Sequence, residues 1–215
     1  MAQGMLEAQH LTCERDDRVL FQNLAFSVSA GQAVQVQGAN GSGKTTLLRI
    51  LCGLNHDYEG DILWRGEPIH KQKADFRSSV FYLGHAPAIN KTLTAADNLR
   101  WFCASRGIAK PAGIHEALAA FDLNGYDDVP CYMMSAGQQR RVSLARMKLV
   151  PASLWILDEP FTALDKKGVS ELEALLSDFV GAGGALMLTT HHSLQMQCPV
   201  SAIDLDAWKP GARHD

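Results

Sequence analysis

The sequence predicts an α/β fold with a mainly parallel sheet, a β-rich N-terminal subdomain and an inserted helical subdomain. Strand-like segments precede residue 87 and return after residue 150, where they alternate with helical segments, while the residues between are mostly helical. Strands that alternate with helices usually pair in parallel. The 215 residues suit one domain that carries an insertion.

The N-terminal part is rich in strand signals. Residues 6–36 indicate short strands separated by a polar turn at residues 14–18, and residues 60–66 indicate a strand between glycine turns. Residues 79–83 form a further β-rich segment. Together with the C-terminal segment, these strands define a predicted core at about residues 1–86 and 151–215.

The middle of the chain changes character. The pair Thr94 and Asp97 fits a helix start signal, residues 111–121 supply a second helix, and a third helix begins after Ser135. These helices predict a helical subdomain at about residues 87–150 that ends in the third helix.

The C-terminal part returns to the strand–helix alternation. Residues 154–157 and 185–188 are continuous apolar runs, as expected for buried parallel strands, and a helix near residues 169–179 separates them.

A glycine-rich stretch at residues 38–45 fits the phosphate-loop pattern G-x-x-x-x-G-K-S/T. It lies between a short strand and a helix start, where backbone N–H groups and the helix dipole favour an anion. Lys44 is predicted to bridge the terminal phosphates, and the Thr45 hydroxyl to hold Mg²⁺. The alternative is a chance glycine-rich turn. The predicted nucleotide contacts are Gly38, Ala39, Asn40, Gly41, Ser42, Gly43, Lys44, Thr45 and Thr46.

Two carboxylates follow the apolar strand at residues 154–157, and Pro160 ends the pairing. Ligands of α/β proteins bind at the carboxyl ends of strands. We assign Asp158 to Mg²⁺ through its bound waters, and Glu159 to positioning and activating the attacking water. The alternative is an ordinary turn after a strand, but the phosphate loop earlier in the chain favours the site.

The third helix opens with Ser135-Ala136-Gly137-Gln138. Ser135 and Gln138 fit a capping box, which is the ordinary structural interpretation. Small residues there also let a phosphate approach a helix N-terminus, so the two interpretations are compatible. The following basic residues are predicted to form a solvated face: Arg140, Arg141, Arg146 and Lys148.

Residues 134–138 resemble the signature motif L-S-G-G-Q of ABC ATPases, a family of P-loop NTPases. Residues 162–165 resemble the D-loop of that family, and residues 189–191 its switch histidine after the last strand. These motifs occur in the family's order, and the resemblance covers essentially the whole chain.

The resemblance implies that two copies pair head to tail, with each ATP between the phosphate loop of one and the signature helix of the other. Ser135, Gly137 and Gln138 would then act on the partner's ATP, and Asp165 would line the seam between the copies. His191 would contact the terminal phosphate. His192 beside it is a weaker alternative.

Two positions depart from the family's pattern. His85 stands where the family usually has a glutamine near Mg²⁺, and a neutral imidazole is a poor ligand for that hard cation. Arg15 lies near the position of the usual aromatic residue that stacks on adenine, and a guanidinium plane can also stack on a base.

Within the family, the motif combination is similar to ATP-binding subunits of haem-export transporters in c-type cytochrome maturation. That similarity implies a peripheral location on the cytoplasmic face of the bacterial inner membrane, bound to integral membrane subunits. Haem would be involved only indirectly, because no residue pattern in the chain identifies a haem ligand pair.

Composition limits the partners. The net charge of −3 gives no electrostatic footprint for nucleic acid. Five cysteines without a C-x-x-C pair indicate reduced, mostly packed thiols of a cytosolic protein rather than disulfides or a zinc site. No stretch approaches the apolar length that crosses a bilayer.

Other functions compete with the transporter ATPase. A GTPase needs an N-K-x-D segment, and residues 90–93 lack the Asp. An ABC protein that acts on DNA or ribosomes is disfavoured by the single compact cassette and the acidic charge balance. A regulatory module that binds ATP without hydrolysis, and a subunit of another small-substrate exporter, stay open.

Overall fold

The computed structural model describes residues 4–210, and the predicted domain limits at residues 1 and 215 lie outside them. Its strands are β1 (Leu6–Arg15), β2 (Arg18–Val28), β3 (Ala33–Gln37), β4 (Glu59–Trp64), β5 (Glu67–Pro68), β6 (Val80–Leu83), β7 (Leu154–Asp158), β8 (Ala185–Thr189) and β9 (Val200–Asp204). Its α-helices are α1 (Lys44–Leu51), α2 (Lys73–Ser79), α3 (Ala95–Ser105), α4 (Ile114–Ala119), α5 (Ala136–Ala145) and α6 (Lys166–Gly181). The predicted α/β class is confirmed.

The N-terminal strands form an antiparallel sheet of four strands in the order β2-β1-β4-β5. Asp16 and Asp17 connect β1 to β2 with φ angles of +51° and +57°. Such a two-residue turn matches the twist of a hairpin, and Asp tolerates the left-handed region. The strands are therefore longer, and the turn shorter, than the sequence predicted.

The second sheet is parallel and has five strands in the order β6-β7-β8-β3-β9. All carboxyl ends of its strands lie at one edge. The loops that follow β6, β7, β8 and β3 carry His85, Glu159, His191 and the phosphate loop, respectively. The strand order therefore brings four separate sequence motifs to adjacent positions.

Two hydrophobic clusters lie on opposite faces of this parallel sheet. Leu154 and Ile156 of β7 pack into the cluster that also contains side chains of the antiparallel sheet and α1. Trp155 and Leu157 pack into the other cluster, with α3, α5 and α6. Because side chains alternate along a strand, a strand buried on both faces is a continuous apolar run.

Between Leu83 and Leu154 the regular elements are helical, namely α3, α4, α5 and short 3₁₀ turns, apart from one isolated bridge from Thr94 to Pro130. The boundaries of a separate helical subdomain stay a prediction. The start predicted at residue 111 was wrong, because α4 begins at Ile114.

The sequence missed α2 and β9. Helix α2 buries only Phe76, and β9 is an edge strand without a fully buried residue. Neither element therefore carries a periodic apolar signal.

Candidate functional site

A cavity of about 470 Å³ lies at the carboxyl edge of the parallel sheet. Residues from five separate segments line it, and they include most of the side chains that the sequence assigned to catalysis and metal binding. The lining residues are Arg15, Asp16, Arg18, Leu20, Asn40, Gly41, Gly43, Lys44, Thr45, Thr46, His85, Asp158, Glu159 and His191.

The phosphate loop enters α1 through Gly43, whose φ is +99°, and no side chain caps this helix. The first N–H groups of a helix have no partner within the helix. Gly38 has φ +140°, and a Cβ there would lie 2.6 Å from the Ser42 Oγ. Only glycine fits that position, so the loop stays tight around its backbone N–H groups.

Lys44 folds back over the loop. Its Nζ donates hydrogen bonds to the carbonyl oxygens of Gly38 at 2.8 Å and Ala39 at 3.1 Å. The ammonium group is thereby held at the loop, and Lys44 lines the cavity together with the start of α1.

Asp206 contacts the loop from the 3₁₀ turn after β9, and the sequence gave no motif to find it. Its Oδ2 accepts a hydrogen bond from the Ala39 N–H at 2.8 Å. Hydrogen bonds from Lys209 and from this backbone N–H keep the pKa of Asp206 below its usual range. One loop N–H thus already bonds to a carboxylate.

Asp158 and Thr45 form the inner wall of the cavity. The Thr45 hydroxyl donates to Oδ2 of Asp158 at 2.8 Å, and the Thr189 hydroxyl donates to Oδ1 at 2.6 Å. Asp158 and Thr189 are paired last residues of the neighbouring strands β7 and β8. A hydroxyl and a carboxylate are hard oxygen ligands, so this donor set fits Mg²⁺.

Glu159 adopts φ +49°, a region that residues with a Cβ seldom occupy. Its N–H donates to the carbonyl oxygen and the hydroxyl oxygen of Thr189, at 3.2 and 3.0 Å. This turn directs the Glu159 side chain into the cavity, whereas the Asp158 side chain is buried against Thr45 and Thr189.

The two neighbouring histidines point to different places. His191 is 69 % exposed, and its Nε2 lies 3.6 Å from Oε1 of Glu159. His192 packs on the ring of Phe161 and lies 3.4 Å from the buried Glu173. Of these two histidines, only His191 lines the cavity, and its role at the terminal phosphate stays a prediction.

His85 and Arg15 lie at the rim of the same cavity. His85 is exposed, and Arg15 makes an exposed ion pair with Asp16 at 3.4 Å. The predicted contacts of both residues with a bound nucleotide stay predictions.

Seven predicted contact residues are absent from the cavity lining. Three of them, Gly38, Ala39 and Ser42, belong to the phosphate loop itself, and the other four lie elsewhere: Ser135, Gly137, Gln138 and Asp165. The predicted capping box is confirmed: Ser135 N–H donates to Gln138 Oε1 at 2.9 Å, and Gln138 N–H donates to Ser135 Oγ at 3.2 Å. A Cβ on Gly137 would lie 2.8 Å from the Ala163 carbonyl oxygen, so this turn packs closely on the segment before α6.

Asp165 connects that segment to α5. Its Oδ1 accepts from the Gly168 N–H at 3.0 Å, which caps α6, and from Arg141 Nη2 at 2.7 Å. Arg141 also donates to Asp122 at 2.8 Å. The residues assigned to the signature and the D-loop therefore form one cluster outside the cavity.

The predicted solvated basic face was wrong for two of its members. Arg140 is 2 % exposed and Arg146 is 5 % exposed, while Lys148 is exposed. Arg146 donates to the carbonyl oxygens of Pro87 and Ala88 and lies over the ring of Phe102. Burial lowers the pKa of Arg146 to about 10. Backbone carbonyl oxygens hold both guanidinium groups. The spacing of charged residues in the sequence cannot show such partners.

All five cysteines are free, and Cys13, Cys103 and Cys131 are buried. No helix within residues 4–210 is long and apolar enough to cross a bilayer.

The sequence profile of the family described as "ABC transporter" matches residues 21–162. A protein of Hahella chejuensis named "Cytochrome c biogenesis ATP-binding export protein CcmA" is 50 % identical over 203 residues, which cover 94 % of this chain and 96 % of that protein. A Pseudomonas fluorescens protein of the same name is 47 % identical and covers 97 % of this chain and 99 % of its own.

Among solved structures, a dimeric bacterial ABC transporter cassette, MJ0796, superimposes with a TM-score of 0.80. The match covers 94 % of this chain and 95 % of that chain at 20 % identity, and it supports the fold.

Proposed function

The chain belongs to the ABC transporter family, and on that premise we propose that it is the ATP-hydrolysing subunit of a transporter that moves haem, or releases a haem chaperone, during c-type cytochrome maturation. The observation that carries the proposal is the single cavity shared by Lys44, Thr45, Asp158, Glu159 and His191. The relatives named for cytochrome c biogenesis and ATP-binding export support the setting.

The phosphate loop binds the phosphates of ATP. The N–H groups at the uncapped start of α1 and the Nζ of Lys44 surround the position where the β- and γ-phosphates lie. Thr45 and Asp158 would hold Mg²⁺, which neutralises charge on the phosphates when it is bound.

Glu159 orients the attacking water and accepts its proton. Its backbone is fixed by Thr189, and its carboxylate lies beside His191, so both side chains can address the terminal phosphate. Phosphoryl transfer needs mainly such positioning and charge stabilisation, because little covalent chemistry falls to the protein.

A second copy of the chain completes the site. Ser135, Gly137 and Gln138 do not line the cavity of their own chain, and by their resemblance to the family's signature motif they act on the ATP of a head-to-tail partner. The structurally similar cassette is dimeric, which supports the pairing of two copies.

The membrane partners are integral transporter subunits, and the chain binds them peripherally at the cytoplasmic face of the inner membrane. Haem is handled by those subunits, so it meets this chain only through them. The core at about residues 1–86 and 151–215 hydrolyses ATP. The helical subdomain at about residues 87–150 transmits the accompanying conformational change to the membrane subunits.

The test of hydrolysis is the Glu159→Gln variant. The amide cannot accept the proton of water, so we expect turnover to fall by about 100-fold or more while ATP still binds. Steady-state phosphate release and an ATP titration measure the two quantities. Glu116→Gln, an exposed change in the first turn of α4, is the control. Unchanged turnover of the Glu159 variant would remove Glu159 from this role.

The assignment to a haem-handling transporter is tested by purifying the tagged full chain from solubilised membranes. We expect it to retain integral membrane subunits that handle haem, identified by mass spectrometry. Recovery with subunits of a different small-substrate exporter would overturn the haem assignment and leave the ATPase assignment standing.

A further inference from the structure

Arg140 lies in the second turn of α5, and only 2 % of the residue is exposed. Its guanidinium group donates to five backbone carbonyl oxygens. Nε donates to Pro160 at 3.4 Å, Nη1 to Gly84 at 3.0 Å and His85 at 3.2 Å, and Nη2 to Asp158 at 3.2 Å and Glu159 at 2.7 Å.

The guanidinium group is therefore fully matched. Arginine has five N–H donors in a rigid planar fork, and each of them has an acceptor here. Burial lowers the pKa of Arg140, while the charges of Asp158 and Glu159 raise it. A buried cation is tolerated only where such partners surround it. The geometry therefore indicates that hydrogen bonds hold the guanidinium group in place, and not merely that the methylene groups of Arg140 are packed.

The five carbonyls belong to two loops that flank the cavity. One loop follows β6 and carries His85, and the other follows β7 and carries Glu159. Arg140 itself comes from the helix that begins with Ser135 and Gln138. One side chain therefore joins the loop of the carboxylate proposed to orient the attacking water, the neighbouring His85 loop and the helix predicted to meet a partner's ATP.

The contact with Glu159 is the shortest of the five. Glu159 adopts the unfavourable φ of +49°, and its peptide groups are held from two sides. Thr189 accepts from its N–H, and Arg140 donates to its carbonyl oxygen. With both peptide groups fixed, the direction of the Cα–Cβ bond of Glu159 is fixed too, and the N–H of His191 donates to the carboxylate at 3.3 Å.

We propose that Arg140 is a positioning residue for ATP hydrolysis, which orients the Glu159 carboxylate by bonding to the backbone around it and ties that orientation to α5. This inference rests on the proposed role of Glu159. Arg140 touches neither the phosphate loop nor the cavity, so it acts on the chemical step and not on the capture of ATP.

The test is the Arg140→Gln variant of the full chain, assayed in the complex that co-purifies from membranes. Glutamine offers two N–H donors in place of five, so the Glu159 turn relaxes. We expect kcat to fall about tenfold or more and KM for ATP to stay within twofold, because small misplacements of catalytic groups reduce rates strongly. Arg140→Lys keeps the charge but not the fork, and we expect an intermediate kcat.

The matched control is Arg106→Gln. Arg106 is a partly buried arginine that, like Arg140, donates to a backbone carbonyl, Val80 O at 2.7 Å, but this carbonyl lies at the opposite end of β6 from the cavity. We expect its kcat and KM to equal those of the unchanged chain. Thermal unfolding of each variant separates a loss of folding from a loss of rate.

A double variant separates this proposal from the proposed function. If Arg140 acts through Glu159, then adding Arg140→Gln to Glu159→Gln leaves the residual single-turnover rate unchanged, since coupled residues are non-additive. A further fall in that rate overturns the proposal. If Glu159→Gln alone hydrolyses ATP normally, the proposed role of Glu159 fails, and any loss in Arg140→Gln is then unrelated to Glu159.

Three other results overturn the inference about Arg140. They are an unchanged kcat in folded Arg140→Gln, a rise of KM without a fall of kcat, and full kcat in Arg140→Lys, which would make charge alone sufficient. If neither variant folds, Arg140 serves stability only, and the inference is also wrong.

Discussion

Helices α1 and α5 both begin at residues assigned to ATP, but their N-termini are built differently. Helix α1 starts after Gly43, and no side chain caps it. Helix α5 starts after Ser135, and a reciprocal capping box with Gln138 satisfies both residues within the chain. The first helix start is left open for a ligand, while the second is stable without one.

This contrast fits the two proposed roles, in which α1 binds the ATP of its own chain and α5 acts on the ATP of a partner copy. The uncapped start lies inside the cavity with Lys44, and its N–H groups need an anion from outside the chain. The capped start lies outside the cavity and presents its polar side chains without depending on a ligand. Each copy would thus bring one open and one preformed helix start, and the two meet only in a dimer.

The largest expected effect comes from Lys44→Ala, which removes the charge beside the open helix start. The ammonium group is a charged donor to the phosphates, so we expect ATP affinity of the full chain to fall by about 100-fold or more. A binding titration with a fluorescent ATP analogue measures it.

Lys148→Ala is the control for this loss, because Lys148 is exposed and follows α5 outside the cavity. We expect it to bind ATP normally. Normal affinity in Lys44→Ala would show that the open helix start suffices alone and would remove Lys44 from the phosphate site.

An intermediate effect is expected from Ser135→Ala at the capped start. Loss of an N-cap costs about 1 kcal/mol of unfolding free energy, which urea denaturation measures. The affinity for ATP should stay within twofold, because Ser135 does not line the cavity of its own chain, whereas turnover should fall because Ser135 acts on a partner's ATP.

Thr94→Ala is the matched control, since Thr94 caps α3 with the same chemistry and accepts from the Asp97 N–H at 3.1 Å. We expect a similar loss of stability with unchanged turnover per folded molecule. Equal turnover in the two variants would mean that Ser135 is a cap and nothing more.

The smallest effect is expected from Asp122→Asn, which loosens the ion pairs that join α5 to α6. Asp122 accepts from Arg141 and from Lys167, both at 2.8 Å, and these hydrogen bonds hold the pKa of Asp122 below its usual range. Asp122 is partly exposed, and Arg141 keeps its second partner Asp165 at 2.7 Å, so we expect a loss of at most about 1 kcal/mol at neutral pH.

The pH dependence follows from the lowered pKa. The carboxylate stabilises the fold above its unfolded pKa of about 3.9, and this contribution is lost as the pH falls through the lower folded value. The difference in thermal midpoint between the variant and the unchanged chain should therefore shrink as the pH falls below about 4 and vanish once the pH lies below the folded pKa. Asp97→Asn, which breaks the Asp97–Arg100 pair within α3, is the control. A difference that persists in acid would contradict the ion-pair explanation.

The sequence predicted most of the cavity because its residues follow strand ends. Lys44, Thr45, Asp158 and Glu159 stand at fixed positions after apolar runs, and parallel strands place their carboxyl ends at one edge. These local patterns were enough to predict the α/β class and the clustering of the motifs, both of which the structure contains.

The sequence misread Arg140 and Arg146 because a pattern of charges does not show which charges are buried. Both residues bond to backbone carbonyls of loops far away in the chain, and carbonyls carry no residue identity. Asp206 was missed for a related reason: its partner is the backbone N–H of Ala39, and the edge strand β9 that brings it there has no buried run.

The sequence by itself determined the α/β class and the candidate residues for the phosphates and the water, because a phosphate-loop pattern and two carboxylates after an apolar strand are local signals. The tertiary structure decided how these residues are held. The φ of Glu159, the separate directions of His191 and His192, and the five carbonyls around Arg140 depend on contacts between distant segments, and those contacts arise only when the chain packs.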